Sequence, residues 1–158
     1  MERRRTLGSE GEDLEKEFEL LGEIDASKFA AMNSVMFEKT CNCSEILLIW
    51  TDLENSTTLD STVMVGINDI PVDCGRPKSS KNGNKLNGYT LYKLLNGCGT
   101  ISLGAMGAYN KTNFSGNPGN SVIPFNLIPI TERFRKIKIY NSGTQYYAIA
   151  GTIKVYGR

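Results

Sequence analysis

Apolar and polar residues alternate most regularly near the end of the chain. In Phe134-Arg135-Lys136-Ile137-Lys138-Ile139-Tyr140, Ile137 and Ile139 fall on one side, and Lys136, Lys138 and Tyr140 on the other. Ile153 and Val155 repeat the pattern against Lys154 and Tyr156. A period of two is that of a strand with one face in a core and the other wet or covered by a neighbour. From about residue 34 onward the same reading predicts strands at Val35–Lys39, Glu45–Thr51, Thr62–Asn68, Tyr89–Leu95, Thr100–Ala108, Ser121–Leu127, Arg135–Asn141, Tyr146–Ala150 and Thr152–Tyr156. These runs are rich in the β-branched and aromatic residues that suit a pleated, half-buried surface. Turn signals punctuate them: Asn82-Gly83, Asn87-Gly88, Asn96-Gly97, Ser142-Gly143 and a long polar stretch from Asn110 to Asn120. Asn141-Ser142-Gly143-Thr144 is expected to close a hairpin. Short strands at this spacing, with no long helical pattern between them and no fixed repeat, indicate an all-β sandwich or barrel.

The leading segment is different. Residues 1–16 have no hydrophobic period and run from an Arg triplet into a Gly-, Ser- and Glu-rich stretch. Such a stretch buries too little apolar surface to offset its ordering entropy, so it is expected to be an arm. Leu14, Phe18 and Leu21 have helical spacing, while Phe18, Leu20 and Gly22 alternate; a first strand over Glu17–Ile24 is preferred over a short helix. The expected division is an arm at 1–16 and a sandwich domain at 17–158.

Composition places the chain among ordinary globular domains, with 40% hydrophobic and 22% charged residues. At 158 residues it is long enough for one core. No stretch nears the roughly 20 apolar residues that cross a bilayer, and no apolar run follows the basic start. Synthesis in the cytoplasm, without membrane insertion, is the expectation. The net charge of +1 conceals an acidic excess in residues 1–25 and a basic excess beyond them. The bases are spread along the chain rather than clustered, which argues for solvated surface and against a nucleic-acid partner.

Chemistry narrows the picture mainly by what is missing. The chain has no histidine, which removes Ser-His-Asp and Cys-His nucleophile systems and the His-containing zinc sites of hydrolases. Gly97-Cys98-Gly99 and Gly104-Ala105-Met106-Gly107 lack the spacing of a phosphate-binding loop. A carboxylate pair drawn from Glu38, Glu45, Asp52, Glu54, Asp60, Asp69, Asp73 and Glu132 is the remaining catalytic option, and solvated surface explains these acids better. Cys41, Cys43, Cys74 and Cys98 do not have the paired knuckles of a structural zinc site, so buried reduced thiols are expected. Neither a cofactor nor a metal is expected, and the chain reads as a non-enzyme. The Asn-x-Ser/Thr sequences at Asn42, Asn55, Asn110 and Asn113 read as loop composition. Trp50, inside an apolar run, is expected in the core.

Two terminal features carry a resemblance. Lys136-Ile137-Lys138-Ile139-Tyr140-Asn141-Ser142-Gly143, followed by Gly151-Thr152-Ile153-Lys154-Val155-Tyr156-Gly157-Arg158, resembles the ends of small phage structural proteins of Firmicutes and their prophages. In that family a strand of the form Gly-Thr-x-Ile-x-Val/Ile-Tyr-Gly-Arg closes a jelly-roll-like sandwich; here one residue is missing between Thr152 and Ile153. The leading Arg triplet with its polar, Gly-containing sequel is similar to the start of short tail-fibre, receptor-binding and head-decoration proteins of gut phages. The resemblance implies a virion structural protein, a jelly-roll-like antiparallel β-sandwich held to capsid or tail proteins by its arm. Arg3, Arg4 and Arg5 would then dock on particle carboxylates, or alternatively serve as a solubilising tail. It further implies a homotrimer, with the Lys136-Lys138-Tyr140 row as the packing surface. The alternative is a receptor-binding module for host surface carbohydrate, with Tyr109, Asn110, Asn113 and Phe114 as stacking and hydrogen-bonding groups.

Overall fold

In a computed structural model, the structure describes residues 17–29, 34–55, 63–72, 85–109, 121–141 and 148–158. Ten strands run in chain order: β1 (Glu19–Asp25), β2 (Val35–Cys43), β3 (Glu45–Asn55), β4 (Val63–Ile67), β5 (Ile70–Val72), β6 (Lys85–Leu95), β7 (Gly99–Tyr109), β8 (Ser121–Ile128), β9 (Phe134–Asn141) and β10 (Ala148–Gly157). A 3-10 turn, Ala26–Phe29, follows β1. Asp25 starts that turn: its Oδ1 accepts bonds from the Ser27 amide (3.1 Å) and hydroxyl (2.6 Å), and these hold its carboxyl below the usual range.

The strands form two antiparallel sheets, one of six in the order β1-β10-β3-β6-β7-β8 and one of four in the order β2-β9-β4-β5. The pairing is nested. β4 pairs with β5, β3 with β6, β2 with β9 and β1 with β10, as in one long hairpin. That hairpin is wound so that β10 also meets β3 and β9 also meets β4. This is the wiring of a jelly roll, with the β7–β8 hairpin added at the β6 edge. The all-β sandwich expected from the alternation is the architecture observed.

The core lies between the sheets. From the six-stranded sheet come Ile46, Leu48, Trp50, Tyr92, Ile153 and Val155; from the other come Met36, Val65, Ile67, Phe134, Ile137 and Ile139, all buried. Each large aliphatic side chain so buried contributes on the order of 2 kcal/mol. The Trp50 indole N–H donates to Thr90 Oγ1 at 3.0 Å, so its polar edge is satisfied inside the core. Asn141, also buried, donates to the Phe29 carbonyl (3.2 Å) and Ser34 Oγ (3.0 Å), tying β9 to the β1–β2 connection.

Several sequence expectations are corrected. Asn87-Gly88 is not a turn but lies inside β6. The Asn87 amide is used sideways: its Oδ1 accepts from the Asp52 amide (3.0 Å) and its Nδ2 donates to Asp52 Oδ1 (3.2 Å). Of the two strands expected at 146–150 and 152–156, residues 148–150 and 152–156 are parts of one strand, β10, interrupted by a bulge at Gly151, and 146–147 lie outside the described residues. β9 and β10 do not form a hairpin, because they belong to different sheets and the chain crosses between layers after Asn141. The β4–β5 hairpin, with Asn68 and Asp69 both at positive φ, was not anticipated; two such residues make the turn whose twist matches the flanking strands. The first element is a strand, as preferred, running over Glu19–Asp25 rather than 17–24. Cys43 is buried as expected, but Cys41 is half-buried and Cys98 is exposed. Cys74 and Asn82-Gly83 lie outside the described residues.

Candidate functional site

The winding sorts the connections by length. At one end of the sandwich the turns are tight: Ser44 between β2 and β3, Asn68-Asp69 between β4 and β5, Asn96-Gly97-Cys98 between β6 and β7, and residues 129–133 between β8 and β9. At that end too lie Glu17, Phe18 and Arg158, where the chain enters β1 and β10 finishes. The other five connections, residues 26–34, 56–62, 73–84, 110–120 and 142–147, all leave from the opposite strand ends. β7 alone separates the two ends by roughly 33 Å, at about 3.3 Å per residue over its length.

Of the expected binding residues, Tyr109 is the last residue of β7, paired with Lys85 at the long-connection end. Asn110, Asn113 and Phe114 follow it in the chain and lie outside the described residues, as do Arg3, Arg4 and Arg5.

A cleft of about 560 Å³ opens at the short-turn end, walled among others by Glu19, Lys39, Cys41, Glu45, Arg133 and Arg158. Glu45 opens β3, and its main chain pairs with Arg158: the Glu45 amide donates to the Arg158 carbonyl (3.1 Å), and the Arg158 amide donates to the Glu45 carbonyl (3.1 Å). That pairing brings the Arg158 guanidinium to Glu45 Oε2 through Nε (3.1 Å) and Nη2 (2.9 Å). Lys93 reaches Oε1 at 3.0 Å. Glu45 is thereby a nearly buried carboxylate held between two cations, a grouping costly to break from one side. Arg158 also covers the Phe18 ring, 4.7 Å from its centroid, just ahead of β1.

The remaining polar groups of the wall fasten strands together. Arg133 grips Asn42 through Oδ1 and the main-chain carbonyl, both at 2.8 Å. Lys39 Nζ donates to the Leu21 carbonyl at 2.8 Å, holding β1 against β2. The Cys41 thiol donates to the Phe134 carbonyl at 3.2 Å, and burial, with Cys43 beside it, pushes its pKa up to about 11. A thiol so raised stays protonated at neutral pH and is a poor nucleophile. The arrangement clamps the short-turn end of the sandwich where β1 begins and β10 finishes. Nothing in it supplies an activated nucleophile. No cluster of three metal-ligating side chains occurs among the described residues.

The acids weighed as a catalytic pair are mostly dispersed into ion pairs. Asp52 meets Lys85 at 3.8 Å, while Glu38 (3.4 Å) and Asp69 (2.9 Å) flank Lys136 on the outer face of the four-stranded sheet. Those two carboxylates, Asp69 first, raise the Lys136 pKa. Lys138 lies over the Tyr140 ring at 5.4 Å. Asp60 and Asp73 lie outside the described residues. The Glu45 cluster was missed by sequence reasoning because its partners are far away in the chain; an acid opening an otherwise apolar strand was its only local signal. Comparison with protein-family models, with curated proteins and with solved structures finds no match for this chain.

Proposed function

We propose that the protein is a virion structural component of a bacteriophage or phage-like particle, held at its short-turn end by the arm and presenting its long-connection end outward. The observation that carries this reading is the polarity of the sandwich. The arm joins at the clamped end, beside Phe18 and Arg158, and every long connection leaves from the other. A rigid scaffold with tight turns at its base and variable loops at its tip suits attachment and display. Jelly rolls are also a recurrent architecture of capsid and lectin domains, which agrees with the reading without deciding it.

The test is removal of residues 1–13. The core among the described residues runs from Ile24 to Val155, so the melting temperature should move by the equivalent of less than about 1 kcal/mol. Incorporation into particles, measured by quantitative proteomics of purified virions, should be abolished. Replacing Arg3, Arg4 and Arg5 together with Ala should reproduce most of that loss. A truncated chain found in particles at wild-type copy number would overturn docking by the arm.

A second reading, recognition of a host surface glycan, is favoured by the place of Tyr109. It stands where β7 runs into the 110–120 connection at the outward end. Binding to a glycan array that is lost on replacing 110–114 with Gly and Ser would support it.

A further inference from the structure

The outer face of the six-stranded sheet has apolar side chains where a solvated sheet would have polar ones. Inward positions alternate with it: Ile46, Leu48 and Trp50 point into the core, so Leu47 and Ile49 point out. The register carries this across the sheet. Tyr156 of β10 pairs with Leu47, Leu47 with Leu91 of β6, and Leu91 with Leu103 of β7. One step along the strands, Ile49 pairs with Tyr89; one step the other way, Ile101 pairs with Leu127 of β8. Tyr89 is 41% exposed and Leu127 62% exposed. Leu47, Ile49, Leu91, Ile101 and Leu103 are each part-exposed.

The opposite outer face differs. There Lys136, Lys138, Glu38 and Asp69 are engaged with one another, and Tyr140 lies under Lys138. The row Lys136-Lys138-Tyr140 therefore has its partners within its own subunit.

We infer that the outer face of the six-stranded sheet is where a second copy of this chain packs, face to face, making a dimer. Two features choose that occupant. The first is area. The six strands, 7 to 11 residues long and about 4.8 Å apart, present a face of roughly 700–800 Å², close to what one partner gives to a standard-size interface. The second is charge. Lys154 with Glu23 (3.8 Å) and Lys85 with Asp52 (3.8 Å) rim the apolar rows as matched pairs, and at the short-turn end Glu45 is already engaged by Lys93 (3.0 Å) and Arg158 (2.9 Å). A face so balanced meets its own copy without like-charge repulsion, as a two-fold interface requires. Apolar rows inside a polar rim are the usual anatomy of such a contact. The pairing goes beyond the virion reading and does not depend on it, and it replaces the trimer expected through Lys136, Lys138 and Tyr140.

Size-exclusion chromatography with light scattering on the full chain at micromolar concentration should give twice the chain mass. Leu91→Lys should halve that mass while leaving the far-UV circular dichroism unchanged. Should Leu91→Lys fail to fold, Tyr89→Lys decides instead, because its exposed side chain is not needed by the core. Lys136→Glu, on the other sheet, should leave the dimer intact. A monomeric or trimeric wild type, a folded Leu91→Lys or Tyr89→Lys that stays dimeric, or dissociation by Lys136→Glu would each overturn the inference.

Discussion

Cys41, Cys43 and Cys98 show how differently one residue type behaves according to its place. Cys43 faces the core, Cys41 is half-buried and bonded to the Phe134 carbonyl, and Cys98 stands exposed in the β6–β7 turn. Alkylation requires both access and thiolate, and Cys41 has little of either with a pKa near 11. Brief treatment of the native protein with iodoacetamide at pH 8, followed by peptide mapping, should label Cys98 ahead of Cys41 and Cys43. Cys41 and Cys43 should react only after denaturant is added. Equal labelling of Cys41 and Cys98 in the native state would contradict the burial described. The expectation of reduced core thiols holds for Cys43, fails for Cys98, and was never decidable from spacing. A cysteine in a strand and one in a turn look alike until the register is known.

At the scale of elements, β10 depends on the bulge at Gly151. Its φ is +102°, and a Cβ there would lie 2.5 Å from the Asp52 carbonyl oxygen and from Leu53 Cα. Across from it Asp52 is itself at positive φ, and the paired irregularity changes which residues of β3 face inward. Ile46, Leu48 and Trp50 are buried, and the next buried position is Leu53 rather than residue 52. One extra residue thus resets a period of two and lets both strands continue in the sheet. Gly151→Ala combines a strained backbone with a collision against main chain that cannot move aside. It should cost roughly 2–3 kcal/mol, read as a lowered midpoint in urea unfolding at unchanged slope. A shift under about 0.5 kcal/mol would show that the bulge relaxes. Asn87-Gly88 teaches the same lesson from the other strand. The Asn-Gly pair has the composition of a turn, yet the side-chain bonds of Asn87 to Asp52 are available only because β3 lies alongside.

Across the whole molecule the winding places sequence-distant segments next to each other. β1 pairs with β10 and β2 with β9, so nearly the entire chain must be collected before these contacts form. Closing such loops costs entropy before any contact offsets it, and topologies of this kind fold in milliseconds to seconds. Trp50, the sole tryptophan, is buried at the centre of β3 and reports that collapse directly. Stopped-flow fluorescence after dilution from urea should show a main refolding phase in that range. A dominant phase faster than about a millisecond would mean that the long-range pairings are not what limits folding.

The sequence by itself determined the class of the protein. Alternation at Ile137 and Ile139, and at Ile153 and Val155, required strands with one buried face, and the absence of histidine excluded nucleophile systems that depend on an imidazole. Those are local or compositional facts, legible without knowing what touches what. Tertiary structure alone decided the rest. Whether β9 and β10 share a sheet, where Arg158 finds Glu45, and which outer face is left apolar all depend on pairings between residues far apart in the chain. A period of two says that a strand has two faces. Only the partner strands decide which face meets the core, which meets water, and which meets another molecule.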